Sequence, residues 1–104
     1  MTIAREEIFG PVLAVIPFDD AEDAVAKANA TVYGLAAGIW TRDVAKAHRF
    51  ARAIRAGTVW VNTYNLFDPM VPFGGYKMSG WGKEAGPESL DAFLATKAVW
   101  INTQ

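Results

Sequence analysis

The chain has 104 residues, of which 52% are apolar and 20% are charged, a balance typical of one globular domain. Ten Lys or Arg stand against eleven Asp or Glu, so the sequence lacks the basic surface that nucleic-acid backbones require. No apolar run approaches the roughly 20 residues of a membrane span. Glu6 and Glu7 also stand where a secretory signal would be apolar. We therefore expect no nucleic-acid partner, no membrane partner and a cytoplasmic location.

The chain contains no cysteine. This excludes disulfides, thiolate metal sites and a cysteine nucleophile within these residues. His48 is the only histidine, and a lone histidine on a helix is more typical of a structural position than of a ligand or a base. The sequence therefore predicts no metal site.

The first strand and helix follow closely on one another. Val12 to Ile16 is an apolar run between two prolines, which predicts a short strand buried on both faces. Asp19 or Asp20 is expected to cap the helix that follows. The apolar stripe of that helix consists of Ala21, Ala24, Val25 and Ala28.

A second cycle of strand and helix comes next. Ala36 to Thr41 predicts a second strand, Asp43 begins a second helix that ends by Gly57, and Thr58 to Asn62 predicts a third strand. The shared face of this helix is expected to hold Val44, Ala47, His48, Ala51 and Ile54. Because helices alternate with strands, the strands should be joined by crossovers and lie parallel.

The last third of the chain is less regular. Thr63 to Gly86 is rich in Gly and Pro, and loops of that length are usually functional or docked on something else. Pro87 then begins a third helix, with a buried side formed by Leu90, Phe93 and Leu94, and Ala98 to Ile101 predicts a final strand. The expected fold is α/β: a partial parallel sheet with βαβαβ crossovers, a long loop, a helix and a C-terminal strand.

The glycine-rich loop does not match a phosphate-binding motif. A P-loop requires Lys where this sequence has Trp81, and a dinucleotide fingerprint requires a closer spacing than that of Gly80, Gly82 and Gly86. A loop shaped by glycine and packed near a site is the favoured interpretation.

Four blocks carry a family resemblance. They are R-E-E-I-F-G-P-V at 5–12, Y-G-L-A-A at 33–37, G-T-V-W-V-N at 57–62, and P-F-G-G-Y-K-M-S-G at 72–80 followed by G-K-E at 82–84. In this order and spacing the sequence resembles the C-terminal segment of the NAD(P)-dependent aldehyde dehydrogenase superfamily. The resemblance covers essentially the whole chain.

The resemblance implies roles for five residues. Glu7 would bind the hydroxyls of the nicotinamide ribose, and Phe9 would pack beside the nicotinamide ring of NAD or NADP. Phe67 and Phe73 would line the channel for the aldehyde substrate. Glu84 matches an acidic position that relays protons to the general base in some members.

The resemblance also implies what the chain lacks and how it assembles. The nucleophilic cysteine, the general-base glutamate and the dinucleotide-binding domain would lie upstream, so the chain alone should be inactive. Residues 1 to about 97 would belong to the catalytic domain. Residues from about 98 to 104 would form an oligomerisation strand in a dimer or tetramer, although Ala95 and Thr96 replace an acidic residue of many relatives. The alternative is a non-catalytic oligomerisation or interaction module from a truncated gene.

Overall fold

The computed structural model describes every residue from Met1 to Gln104. The elements are helices α1 (Ala21–Asn29) and α2 (Val44–Ala53), strands β1 (Tyr33–Gly34), β2 (Ala36–Ile39), β3 (Thr58–Val61) and β4 (Tyr76–Lys77), and 3₁₀ helices at Thr2–Ala4 and Pro87–Phe93. The radius of gyration is 18.6 Å, against about 13 Å for a compact domain of this size. The chain is therefore elongated, with extents of 70 × 33 × 24 Å.

Strands β2 and β3 pair in parallel, and helix α2 lies between them in the chain. Ala36 pairs with Thr58 and Ile39 with Val61. Because a tight turn cannot join parallel strands, the ten-residue helix between them spans the distance. This βαβ unit contains the buried apolar residues of the chain, which are Ala47, Ile54, Ala56 and Trp60.

Helix α2 begins where expected, because the Asp43 side chain accepts a hydrogen bond from the backbone N–H of Lys46 at 3.0 Å. Its buried face differs from the prediction. Ala47 and Ile54 are buried, but Val44, His48 and Ala51 are exposed. The predicted stripe was too wide, because the covered side of α2 is narrow and its main neighbouring element is helix α1. The helix also ends at Ala53, before Gly57, since the chain is already extended at Ile54.

Helix α1 has the predicted cap. Asp20 accepts hydrogen bonds from the backbone N–H groups of Glu22 and Asp23, at 3.0 and 2.9 Å. Of the predicted apolar stripe, Ala24 and Val25 are half-buried, whereas Ala21 and Ala28 are exposed. Lys27 bridges to Asp23 at 2.6 Å along the same helix, a pair that contributes little to stability at the surface.

Two predicted strands do not form. Residues 12–16 and 98–101 have no strand partner and are exposed along their length. A strand requires a neighbour to receive its backbone hydrogen bonds, and neither segment meets one within this chain. Ala14 and Ile16 instead line an open groove of about 770 Å³ that β2 also borders. The βαβαβ pattern is therefore reduced to one βαβ unit, and no C-terminal strand is present.

The long loop is more ordered than its sequence predicts. Within it, β4 pairs antiparallel with β1, so that Tyr33 lies opposite Lys77. Gly57 allows the loop to approach closely, because a Cβ there would lie 1.6 Å from the carbonyl oxygen of Gly74. These contacts dock the loop on the end of the βαβ unit.

The third predicted helix is a 3₁₀ helix rather than an α-helix. Pro87 is at its start, as expected. The predicted buried side is wrong, because Leu90, Phe93 and Leu94 are all exposed. No other element of the chain covers this side. No helix in the structure combines the length and the apolar character needed to cross a bilayer.

Candidate functional site

An aromatic cluster forms between β3 and the long loop. The Trp60 ring lies 4.9 Å from that of Tyr64 and 5.7 Å from that of Phe67, both edge-on. Phe67 in turn meets the edge of Phe73 at 4.9 Å between ring centroids. The indole N–H of Trp60 donates to the carbonyl of Leu66 at 2.9 Å, so the buried ring leaves no polar atom unpaired.

The two phenylalanines also line a cavity of about 470 Å³. Its wall is apolar and aromatic, since the lining residues include Leu66, Phe67, Val71, Pro72 and Phe73. A wall of this kind suits an uncharged molecule with an apolar body. The structure thus brings together both residues that were predicted to line a substrate channel.

Glu84 is connected to the same cluster through the backbone. The N–H of Phe73 donates to the carbonyl of Glu84, and the N–H of Glu84 donates to the carbonyl of Phe73, both at 2.7 Å. The side chain of Glu84 remains exposed to solvent. Three of the five candidate residues, Phe67, Phe73 and Glu84, therefore form one connected group.

Glu7 and Phe9 do not join this group. Both are exposed, with Phe9 at 94%, and neither borders the aromatic cavity. No hydrogen bond connects residues 1–16 with the rest of the chain. Phe9 has a φ of 51°, a left-handed conformation that is uncommon for a residue with a Cβ. The Phe9 ring is thus unpartnered.

The two carboxyl groups whose pKa is shifted, those of Asp23 and Asp43, lie at helix N-termini and not in the aromatic cluster. The hydrogen bond from the Lys27 ammonium, followed by that from the backbone of Asp19, lowers the pKa of Asp23 below its ordinary value. The pKa of Asp43 is lowered chiefly by the N–H of Lys46. Both effects favour the ionised carboxylates that stabilise the first turns of the helices.

The aldehyde dehydrogenase family has a sequence model that matches residues 1–99. The chain belongs to the aldehyde dehydrogenase family. Betaine aldehyde dehydrogenase 2 of Rhizobium meliloti (strain 1021) is 55% identical over 104 residues, which cover 100% of this chain and 22% of that protein. The predicted resemblance is thereby confirmed.

Parts of solved aldehyde dehydrogenases have a backbone closely similar to that of this chain. The NAD+ complex of an enzyme from Bacillus cereus gives a TM-score of 0.93 at 51% identity, covering 100% of this chain and 21% of that one. KauB from Pseudomonas aeruginosa gives 0.92 at 56% identity, covering 97% and 20%. The chain spans about a fifth of the length of these aldehyde dehydrogenases.

Three further polar residues of this aldehyde dehydrogenase segment have defined surroundings. Asn62, already placed at the end of the third strand by sequence, exchanges hydrogen bonds with both backbone groups of Thr41 at 2.8 and 2.9 Å. Thr58 borders the aromatic cavity and has a buried hydroxyl with no hydrogen-bond partner. Lys83 bonds the carbonyls of the glycine pair in the loop.

The sequence did not predict these surroundings of Thr58 and Lys83. A threonine at the start of a strand is ordinary, so nothing marked Thr58. A signal existed for Lys83, because neighbouring glycines expose backbone carbonyls that a nearby ammonium can bind.

Proposed function

We propose that this chain is the C-terminal segment of an NAD(P)-dependent aldehyde dehydrogenase, which oxidises an aldehyde to a carboxylic acid. The observation that carries the proposal is the connected group of Phe67, Phe73 and Glu84 within a chain that matches the family over residues 1–99. The group combines an apolar wall with a carboxylate. Such a combination suits an uncharged substrate whose reaction releases protons.

In this proposal the two phenylalanines hold the aldehyde. Phe67 and Phe73 meet edge-to-face, and Trp60 supports Phe67 from behind with its own ring fixed by the bond to Leu66. A buried, hydrogen-bonded support reduces the freedom of the channel wall before substrate binds. Aldehydes with an apolar or aromatic body are therefore the expected substrates.

The proposed cofactor contacts lie in residues 5–12. When NAD(P) is bound, it would accept the hydride that leaves the aldehyde. The Glu7 carboxylate is free to accept hydrogen bonds from two ribose hydroxyls. The exposed ring of Phe9 is free to pack beside a nicotinamide. Both residues fit these tasks because neither is engaged elsewhere in the chain.

The chain alone should have no dehydrogenase activity. In the family a cysteine thiolate attacks the aldehyde, and this chain contains no cysteine. Glu84 is proposed to pass a proton towards a general base that also belongs to the remainder of the enzyme. The segment thus contributes to the site without performing the first step.

A second candidate function is that of an oligomerisation or interaction module. It is favoured by the exposed apolar side chains of Val99, Trp100 and Ile101 near the end of the chain. An apolar segment that can add to a sheet of another subunit favours assembly. Within an aldehyde dehydrogenase this segment would join subunits in a dimer or tetramer. Without the remainder it would drive self-association.

The proposal is tested by Glu7→Gln in the full-length enzyme that contains this segment, with Glu6→Gln as the matched control. Removing the charge should weaken the ribose contact and slow hydride transfer by about tenfold to a hundredfold. Single-turnover NADH formation in a stopped-flow instrument measures this step. Glu6→Gln should retain the original rate.

Equal rates for Glu7→Gln and the unmodified enzyme would refute the cofactor role. The purified 104-residue chain is assayed in parallel with NAD+ and an aromatic aldehyde. Absence of turnover together with a monodisperse oligomer in solution is compatible with both candidates. Deleting residues 98–104 from the full-length enzyme tests whether both candidate functions apply. If the deletion removes the oligomer and the activity together, the segment serves both assembly and catalysis.

A further inference from the structure

The side-chain ammonium of Lys83 lies in a small cage of backbone and ring atoms. Nζ donates to the carbonyl of Gly74 at 3.0 Å and to that of Gly75 at 3.1 Å, in a partly buried setting. The same nitrogen lies 4.8 Å from the centroid of the Tyr76 ring. Two charge-assisted hydrogen bonds and a cation–π contact hold the ammonium in one place.

The stem of Lys83 also packs against the glycine pair. A Cβ on Gly74 would lie 3.0 Å from Cδ of Lys83 and 2.7 Å from the carbonyl oxygen of Gly82. On its other side Gly74 abuts Gly57, where a Cβ would overlap the Gly74 carbonyl. The backbone of Gly74 is thus confined between the end of the βαβ unit and the lysine side chain.

The bonds of Lys83 lie next to two residues of the proposed site. Phe73 directly precedes Gly74, and Glu84 directly follows Lys83. The reciprocal 2.7 Å hydrogen bonds between Phe73 and Glu84 complete a closed circuit of contacts that runs through Phe73, Gly74, Lys83 and Glu84. Fixing the ammonium on Gly74 therefore fixes the backbone that presents both the phenyl ring and the carboxylate.

We infer that Lys83 is a positioning residue that holds the Phe73 ring in the geometry used by the enzyme. This inference rests on the proposed role of Phe73. Without the ammonium, the carbonyls of the glycine pair lose their donor, and glycine has more backbone freedom to regain than any other residue. The Phe73 ring would then sample positions away from Phe67, which weakens substrate binding more than the chemical step.

The first test compares two lysines in the full-length enzyme. Lys83→Met should raise KM for an aromatic aldehyde by about tenfold and change kcat by less than about threefold. Lys83→Arg, which keeps the charge and the donors, should recover most of the affinity. Lys77→Met is the matched control: Lys77 also bonds two carbonyls, those of Asn29 and Thr31, but these do not adjoin the site. It should leave KM unchanged.

The second test is a double-mutant cycle with Phe73→Ala. If Lys83 acts through the phenyl ring, Lys83→Met should change KM by less than about twofold once the ring is gone. Independent, additive effects on KM would overturn the inference, and so would a lower melting temperature with unchanged KM. If Lys83→Met does not fold, Tyr76→Leu replaces it in the same cycle. Tyr76→Leu removes only the ring beside the ammonium, and the same outcomes decide.

The cycle also separates this inference from the proposed function. An unchanged KM for Phe73→Ala alone would contradict the substrate wall and with it the proposed function. A raised KM for Phe73→Ala together with an unchanged KM for Lys83→Met would leave the wall intact and reject the role of Lys83.

Discussion

The residues between α1 and the long loop differ sharply from the two ends of the chain. In the central unit, residues 21–86, Trp60 is 8% exposed, and helices, strands and loop are joined by hydrogen bonds. In the terminal segments, residues 1–16 and 94–104, Phe9 is 94% and Trp100 is 95% exposed. No hydrogen bond joins either terminal segment to the central unit. Apolar composition alone therefore does not produce a core.

The difference has a physical cause. The central unit contains both members of each stabilising pair. Each capping side chain has its backbone N–H groups, each strand has a neighbouring strand, and each closely packed glycine has the backbone that approaches it. The terminal segments have no such partner within the chain. Just 6 of the 104 residues are buried, so much apolar surface stays in water, as is typical of a surface that meets another chain or segment. The proposed cofactor residues lie in one of these segments.

The largest expected effect concerns the close approach of Gly57 and Gly74. Gly57→Ala would place a methyl group 1.6 Å from the Gly74 carbonyl oxygen, which the backbone cannot accommodate without moving. We expect a loss of more than about 4 kcal/mol in the free energy of unfolding, measured by urea denaturation followed by circular dichroism. Gly10→Ala is the control, because the nearest atom to its Cβ is 4.0 Å away. An equal loss for both variants would contradict the contrast between the two regions.

An intermediate effect is expected from two tryptophans. Trp60→Ala removes a buried ring and its bond to Leu66 and should lower the free energy of unfolding by about 3 kcal/mol. Trp100→Ala removes an exposed ring and should change it by less than about 0.5 kcal/mol. Thermal melts of each variant and of the unmodified chain measure the two changes in stability. If Trp100→Ala were the more destabilising, the end of the chain would belong to the folded core.

The smallest effect is a dependence of the central unit on pH. The N–H of Lys46 holds the pKa of Asp43 below its ordinary value, so protons bind preferentially to the unfolded chain. The resulting stability is present above about pH 4 and is lost as the pH falls through the lower folded pKa. Urea midpoints measured between pH 6 and pH 2 should decline, and Asp43→Asn, which keeps a capping side chain, should show a shallower decline. A steeper decline in Asp43→Asn would contradict the lowered pKa of Asp43 in the folded chain.

The same contrast explains how much the sequence predicted. Asp43 was predicted as a cap, and Asp20 was one of two candidates beside Asp19, because a cap and its partners lie within three residues. The parallel pair β2 and β3 was found because both strands and their connecting helix are consecutive. The strands predicted at 12–16 and 98–101 do not form, since pairing depends on a neighbour that this chain does not contain. An apolar run does not show by itself whether a pairing strand lies beside it.

The candidate site divides in the same way. Phe67, Phe73 and Glu84 were assigned by resemblance, and the structure brings them together. Glu7 and Phe9 were assigned by the same resemblance, but they are exposed and lie apart from the other three. The roles of all five residues stay predictions. The position of Lys83 over the glycine pair depends on a docked loop, which residue patterns do not describe.

The most direct test of the account is hydrogen exchange at residues 12–16, compared between the isolated 104-residue chain and the full-length aldehyde dehydrogenase that contains it. We expect the amides of 12–16 to exchange rapidly in the isolated chain and slowly in the enzyme, where another strand can pair with them. The amides of β3 should be protected in both. Slow exchange at 12–16 in the isolated chain, or rapid exchange in the full-length enzyme, would contradict the claim that this segment is completed by polypeptide outside the chain.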